Sequence, residues 1–274
     1  MNELASVTPK ALNAIKIAQL TDLHLFADEE GCLLGVRTAD SFTAVMDDVE
    51  NSGFDPDIYL VTGDVSQDYS AESYARYAEM TKRLKKPIFT LPGNHDDGPL
   101  MYKIFPDLGL SSARQIFCGR WQIVMLNTQV YSNPCGYLTQ EQFAYLHKCL
   151  DDHKKLSTLV CLHHNTYKVG SAWLDQHCLK NGDELSALLK NHPNAKCVLC
   201  GHVHQETDMT DAHVRYLSTP STSIQFMPKQ DGFGLDHQEP GWRSLVLLGD
   251  GTIETQVHRL HNCSFSPDRA SSGY

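Results

Sequence analysis

"KPIFTLPGNHDD", Lys86–Asp97, sets a short apolar run against an amide, an imidazole and two carboxylates at the point where the run stops. A buried strand that ends in Asn94, His95, Asp96 and Asp97 delivers polar groups to one edge of a sheet. The same arrangement recurs along the chain. "AIKIAQL" leads into "TDLH" (Thr21–His24), "DIYLV" into "TGDV" (Thr62–Val65), "STLVCL" into His163 and His164, and "AKCVLC" into "GHVH" (Gly201–His204); "WQIVMLNT" is a further strand, fourth of six in chain order. Between them "DSFTAVMDDVEN", "AESYARYAEMTKRLKK", "LTQEQFAYLHKCLDDHKK" and "DELSALLKNH" carry apolar residues at helical spacing, the third opening with Thr139 and Gln142 placed as a capping box. Strand and helix in alternation predict an α/β protein of sheets flanked by helices. "HVRYLSTPSTSIQF" and "GWRSLVLLGDGTIETQVHRL" read as strands, the second with a "GDGT" hairpin turn, so an antiparallel portion closes the fold.

A chain of 274 residues, 41% hydrophobic, can bury one large core. A single domain over residues 1–260 is expected, with 261–274 as a flexible tail. The formal net charge of -10 disfavours nucleic acid and anionic membranes as partners, because a polyanion would approach against the protein's own field. A small anion held by metal ions escapes that objection. No basic segment followed by an apolar run marks a signal peptide, and no stretch approaches the ~20 apolar residues of a bilayer span, so a cytoplasmic location is expected. Nine cysteines, an odd number without a small-scaffold pattern, suit reduced thiols. Cys197 and Cys200 form a C-x-x-C, but an odd spacing on a strand sends them to opposite faces, as buried apolar residues rather than a metal or redox pair.

The candidate ligands follow strands: Asp22 and His24 the first, Asp64 the second, Asn94 and His95 the third, His163 and His164 the fifth, His202 and His204 the sixth. Loops beyond the carboxyl ends of strands converge on one crevice in open α/β sheets. Asp, Asn and His together suit Mn, Fe, Zn or Co rather than the all-oxygen shells of Mg or Ca. Even with His95 and one of the adjacent pair His163 and His164 set aside, seven donors exceed the four of a tetrahedral zinc, which points to two ions. Singly, each motif has a plain structural reading, since Asp and Gly are ordinary turn residues. Together and in order, all at strand ends, they describe one site.

In that order "DLH", "GD", "GNHD", "HH" and "GHVH" resemble the calcineurin-like metallophosphoesterases. "GSAWLDQHCLKNGDEL", "STPSTSIQF" and "PGWRSL" extend the likeness to the bacterial class III 3′,5′-cyclic-AMP phosphodiesterases over nearly the whole chain. The resemblance implies a four-layer α/β/β/α sandwich of two mixed sheets and a binuclear centre. Carried over, Asp22, His24, Asp64 and His204 hold one metal; Asp64, Asn94, His164 and His202 hold the second; Asp64 bridges. His164 is chosen over His163 although Thr166 stands where relatives often have a proline two positions after the ligand. Gln67 replaces an Asp common three residues after the bridging one, with Asp68 next to it.

Hydrolysis of a phosphodiester must overcome the repulsion between its negative charge and a nucleophile. Two divalent ions, Fe2+ and/or Mn2+ with Zn or Co as alternatives, lower the pKa of a bridging water and clamp the phosphoryl oxygens, so that hydroxide attacks in line and opens cyclic AMP to 5′-AMP. His95, beside Asn94, is the catalytic group expected to stabilise the developing charge or protonate the departing 3′-oxygen. Asp96 is expected to fix the loop. His24, Asp64, Asn94, His95 and His204 surround the small-molecule cyclic nucleotide, and the loop of Trp173 and His177 is long enough to cover it. Two other readings stand beside this one: a metallophosphoesterase acting on another diester, such as a glycerophosphodiester, a 2′,3′-cyclic nucleotide or a nucleotide pyrophosphate, and a non-catalytic protein-binding scaffold. Scaffolds of the superfamily tend to lose ligands; here all are present.

Overall fold

The computed structural model describes residues 4–261, 265–271 and 273. A five-stranded sheet runs β14 (Ile253–Arg259), β13 (Gly241–Leu248), β2 (Ala14–Leu20), β5 (Ile58–Thr62), β6 (Ile88–Leu91). A seven-stranded sheet runs β1 (Leu4–Val7), β7 (Gln115–Cys118), β8 (Trp121–Met125), β9 (Ser157–Cys161), β10 (Ala195–Cys200), β12 (Val214–Ser218), β11 (Thr207–Asp211). A small ribbon pairs β3 (Cys32–Leu33) with β4 (Val36–Arg37). Strands β2, β5 and β6 are mutually parallel, as are β8, β9, β10 and β12; β13 with β14 forms the antiparallel portion, turning at Gly249 to Thr252.

Side-chain alternation stacks the layers. Ile15, Ile17, Ile58 and Leu60 face Ile123, Leu159, Cys161, Cys197 and Leu199 in a core between the sheets. Their neighbours point outward: Ala18, Leu20, Tyr59 and Val61 pack on Phe42, Val45 and Val49 of α1 (Thr38–Asn51), Tyr74 and Tyr77 of α2 (Ala71–Thr81) and Met101 of α3 (Gly98–Ile104). Val124, Val160, Val198 and Cys200 pack on Leu146 and Leu150 of α4 (Gln140–Asp152) and Leu185 and Leu189 of α5 (Gly182–Lys190). A period of two with both faces apolar is what a strand needs when it is covered on both sides. The result is the expected α/β/β/α order. Cys197 and Cys200 fall in different cores, unpaired.

Thr139 caps α4, its hydroxyl accepting the Gln142 N–H at 3.3 Å. Helix α3, which has no apolar period in the sequence, begins with the Asp97 carboxylate accepting the Leu100 N–H and Pro99 in its first turn. Nor does a regular apolar pattern mark the edge strands β1 and β11, with their exposed or mixed faces, or the four-residue β7 between β1 and β8. "STPSTSIQF" is a strand only up to Ser218; beyond it the chain is a buried loop. Within residues 261–274, Phe265 lies against two of the cores and the Asp268 N–H donates to the Leu34 carbonyl at 2.7 Å.

Candidate metal centre

Five non-glycine residues at the strand ends adopt the left-handed region: Asp22 (φ 54°), His24 (51°), Asp64 (50°), His202 (68°) and His204 (48°). Each such residue costs on the order of 1–3 kcal/mol and persists only where its surroundings enforce it. Here the turns are laced together. The Asp22 N–H donates to Gly63 O at 3.0 Å, His24 N–H to Asp64 O at 2.9 Å, and Gly201 N–H to His163 O at 3.1 Å, the last joining β9 to β10. The glycines of "TGDV" and "GNHD" make room: a Cβ on Gly63 (φ 100°) would overlap the His163 ring, and one on Gly93 the Asp64 carboxylate.

Two groups of donors result. In the first, His204 Nε2 lies 3.4 Å from Asp22 Oδ1 and 3.3 Å from His24 Nε2, which is 3.9 Å from Asp64 Oδ2. His24 Nδ1 is 2.7 Å from Gln67 Oε1, and His204 Nδ1 is 2.8 Å from the Ile224 carbonyl. Both partners are acceptors, so both Nδ1 atoms carry the proton and both Nε2 lone pairs point into the same space. Gln67, standing where relatives have a carboxylate, thus orients His24. In the second group, His163 Nε2 lies 3.3 Å from Asp64 Oδ2 and 3.0 Å from Asn94 Oδ1, with Nδ1 held at 2.8 Å by the Thr62 carbonyl. The His202 ring joins it, 5.1 Å from that of His163 and 4.6 Å from that of His164, while its backbone N–H donates to both Asp22 oxygens at 3.0 Å. Asp64 belongs to both groups.

Several buried polar atoms in this space have no hydrogen-bond partner among the described residues: Asp64 Oδ2, both ring nitrogens of His202, and His164 Nε2. Orphaned polar atoms are rare in protein interiors and call for a missing group. Divalent cations satisfy carboxylate and imidazole lone pairs together, and the donor set fits them. The protonation pattern agrees. Burial drives the His24 pKa down to about 3 and holds His202 and His164 well below the ordinary histidine range, with neighbouring imidazoles adding to the shift. Their lone pairs are therefore available. Burial also opposes the charges on Asp64 and His163, but their mutual attraction outweighs it, keeping the Asp64 carboxyl well below its usual range and carrying His163 up to about 9. A proton on His163 then fills the place a cation would take.

Of the residues singled out in the sequence, Asp22, His24, Asp64, Asn94, His202 and His204 meet here, with His95 at their edge. His164, expected on the second ion, also lies at this group, where a nitrogen of its ring sits within 4.8 Å of those of His163 and His202. Its Nδ1 takes the Thr128 hydroxyl at 2.7 Å, whereas the ring that reaches Asp64 and Asn94 is His163. Strand parity carried the signal: Leu159 and Cys161 face the space between the sheets, and His163 continues that series while His164 continues the helix-facing one of Val160 and Leu162.

His95 donates its backbone N–H to Asp64 Oδ1 at 2.8 Å, and its ring meets His24 edge-on at 5.2 Å. Asp96 fixes the loop: its buried carboxylate accepts the N–H groups of Gly93 (2.8 Å), Ser66 (3.0 Å) and Val65 (3.2 Å). Asp68 accepts from Ala27 N–H at 2.7 Å and from Ser70, holding a neighbouring turn. A cavity of about 220 Å3 opens beside the centre, walled by Asn94, His95 and His202 on one side and by Trp173, His177 and Phe233 on the other. Phe226 stacks on the His204 ring at 4.1 Å and supports it from behind.

The model of the calcineurin-like phosphoesterase family matches residues 15–206, a span that contains every donor named above. The chain is 44% identical to the 3′,5′-cyclic adenosine monophosphate phosphodiesterase CpdA of Escherichia coli (strain K12), over 95% of each. It is 44% identical to the protein of the same name from Vibrio vulnificus, over 96% of each. Its fold is shared with a dimetal phosphatase from Danio rerio at a TM-score of 0.59 and 14% identity, covering 89% of this chain and 98% of that one. A two-sheet sandwich whose strand ends gather Asp, Asn and His around one shared carboxylate, together with a family match over most of its length, makes this chain a member of the calcineurin-like phosphoesterases.

Proposed function

We propose that this protein is a metal-dependent phosphodiesterase that hydrolyses 3′,5′-cyclic AMP to 5′-AMP. What supports the reading is one conjunction: two buried donor groups sharing Asp64, in a chain 44% identical over 95% of its length to a curated cyclic-AMP phosphodiesterase. Asp22, His24, Asp64 and His204 would hold one ion; Asp64, Asn94, His163 and His202 would hold the other, with His163 in the part first expected of His164. Two divalent ions, iron(II) and/or manganese(II), supply Lewis acidity toward the phosphoryl oxygens and an acidified water as nucleophile.

The chain's own groups do the rest. Gln67, the Ile224 carbonyl and the Thr62 carbonyl fix three imidazoles in one tautomer, so no reorganisation is needed when charge develops. His24, Asp64, Asn94, His95 and His204 surround the phosphoryl group. His95 presents its ring at the edge of the centre and protonates the departing 3′-oxygen; burial lowers its pKa, which makes it a readier proton donor once charged. No described helix is long and apolar enough to cross a membrane, and the eight described cysteines are free, in keeping with a reducing cytoplasm.

The test is turnover by metal-reconstituted protein against cyclic AMP, cyclic GMP, 2′,3′-cyclic AMP and bis-p-nitrophenyl phosphate. Preference for cyclic AMP, lost on chelation and restored by Mn2+ or Fe2+, is the expected result; equal use of every diester would leave a phosphodiesterase of broad specificity, and activity unaffected by chelator would remove the reading. Separately, His163→Ala should weaken the second ion by at least the ~10–100-fold typical of disturbing a metal site, with His164→Ala retaining two ions per chain. Elemental analysis that shows the reverse returns the ligand role to His164.

A further inference from the structure

The cavity beside the centre has a composition unlike the centre itself. Its far wall is Trp173, His177 and Phe233, Gly273 also lines it, and among the described residues no Asp, Glu, Lys or Arg does. The rings are arranged edge to face, Trp173 against Phe233 at 5.2 Å and 68° and against Phe226 at 5.0 Å and 81°. Through Phe226, stacked on His204, this aromatic wall is in direct contact with the donors of the first metal group.

The wall is built to stay in place. The Asp175 carboxylate accepts the N–H groups of Val169 at 2.7 Å and Gly170 at 3.1 Å, its own N–H donates to Ser171 O at 2.8 Å, and Ala172 N–H donates to Gln230 O at 3.0 Å. These bonds clamp the loop on both sides of Trp173. The Trp173 indole therefore offers the cavity its ring rather than its N–H, which is buried.

Size and chemistry restrict that ligand. About 220 Å3 is below the ~300–1,000 Å3 that encloses a whole drug-sized molecule, so the cavity takes one planar ring system while the remainder of the substrate stays over the centre. Aromatic walls without a counter-charge suit a neutral heteroaromatic. We infer that the Trp173–Phe233 cavity is the base subsite of the enzyme, receiving the purine of the cyclic nucleotide against the Trp173 and Phe233 rings. The inference rests on the phosphodiesterase reading and adds to it the group that selects the substrate. Trp173 and Phe233 touch the base and not the reacting bond, so they act on specificity.

The test compares two substrates of metal-loaded protein: cyclic AMP and its base-free counterpart, 1-O-methylribose 3′,5′-cyclic phosphate. Losing a base–aromatic contact costs about 5- to 150-fold in binding, so Trp173→Ala should raise KM for cyclic AMP by ~10–100-fold while kcat/KM for the base-free diester stays within about twofold of wild type. Trp173→Phe, which keeps an aromatic wall of smaller area, guards against misfolding and should give a smaller rise confined to the same substrate. Equal losses on both diesters in both variants would make the loop a structural element only. An unchanged KM for cyclic AMP would also overturn the subsite. Failure of wild-type protein to hydrolyse either diester would instead remove the reading on which it rests.

Discussion

Asp64→Ala is expected to release both ions and reduce cyclic-AMP turnover by ~10³-fold or more. The magnitude follows from the several kcal/mol that metal ions contribute to a phosphoryl transition state, each 1.36 kcal/mol being about tenfold in rate. The shared position is the reason that one carboxylate reaches so far. Asp64 Oδ2 is 3.9 Å from His24 Nε2 and 3.3 Å from His163 Nε2, and Oδ1 holds the His95 N–H at 2.8 Å. Without it, His24, His163 and His204 face one another with only Asp22 to balance a cation, and the loop bearing Asn94 and His95 loses an anchor. Elemental analysis and turnover on the same preparation check the outcome. Retention of two ions per chain with turnover within about tenfold of wild type would refute the bridging role.

His95→Ala separates chemistry from metal binding. It should keep two ions per chain and lose ~10²–10⁴ in kcat, the range of a positioned proton donor. The ring lies outside both donor groups, edge-on to His24 at 5.2 Å, and lines the cavity with Asn94 and His202. A parallel fall in metal content would instead make His95 a ligand. His95→Gln, which can donate a hydrogen bond but not act as an acid, should recover part of the lost rate if the imidazole acts by stabilising charge, and none if proton transfer dominates.

Much of this was legible in the chain. Six strands and four helices follow from the period of their apolar residues, and every donor group sits where a run of apolar residues gives way to glycine or a polar turn. The C-x-x-C at Cys197 and Cys200 was rightly read as structural, because strand parity separates the two thiols into different cores. What escaped had weak local signals. Helix α3 is seven residues long and depends on its Asp97 cap, and β1 and β11 lie at the edges of their sheet with half their residues in water. His163 and His164 are neighbours of identical chemistry, so residue type does not separate them; the direction in which each leaves the strand turns His163 toward Asp64 and Asn94 and His164 toward Thr128.

Residue order and periodicity established the class of fold, the strand ends as the place of chemistry and the kinds of donor gathered there, since these depend on interactions close along the chain. The packing of two sheets against each other decided the rest. Asp22, His24, Asp64 and Asn94 come from the five-stranded sheet, and His163, His202 and His204 from the seven-stranded one, so the centre is a seam between sheets rather than a crevice within one. Which imidazole crosses that seam, which carbonyls set the tautomers, and which aromatic rings stand beside the centre are consequences of contacts between residues distant in sequence, and no local pattern encodes such distances.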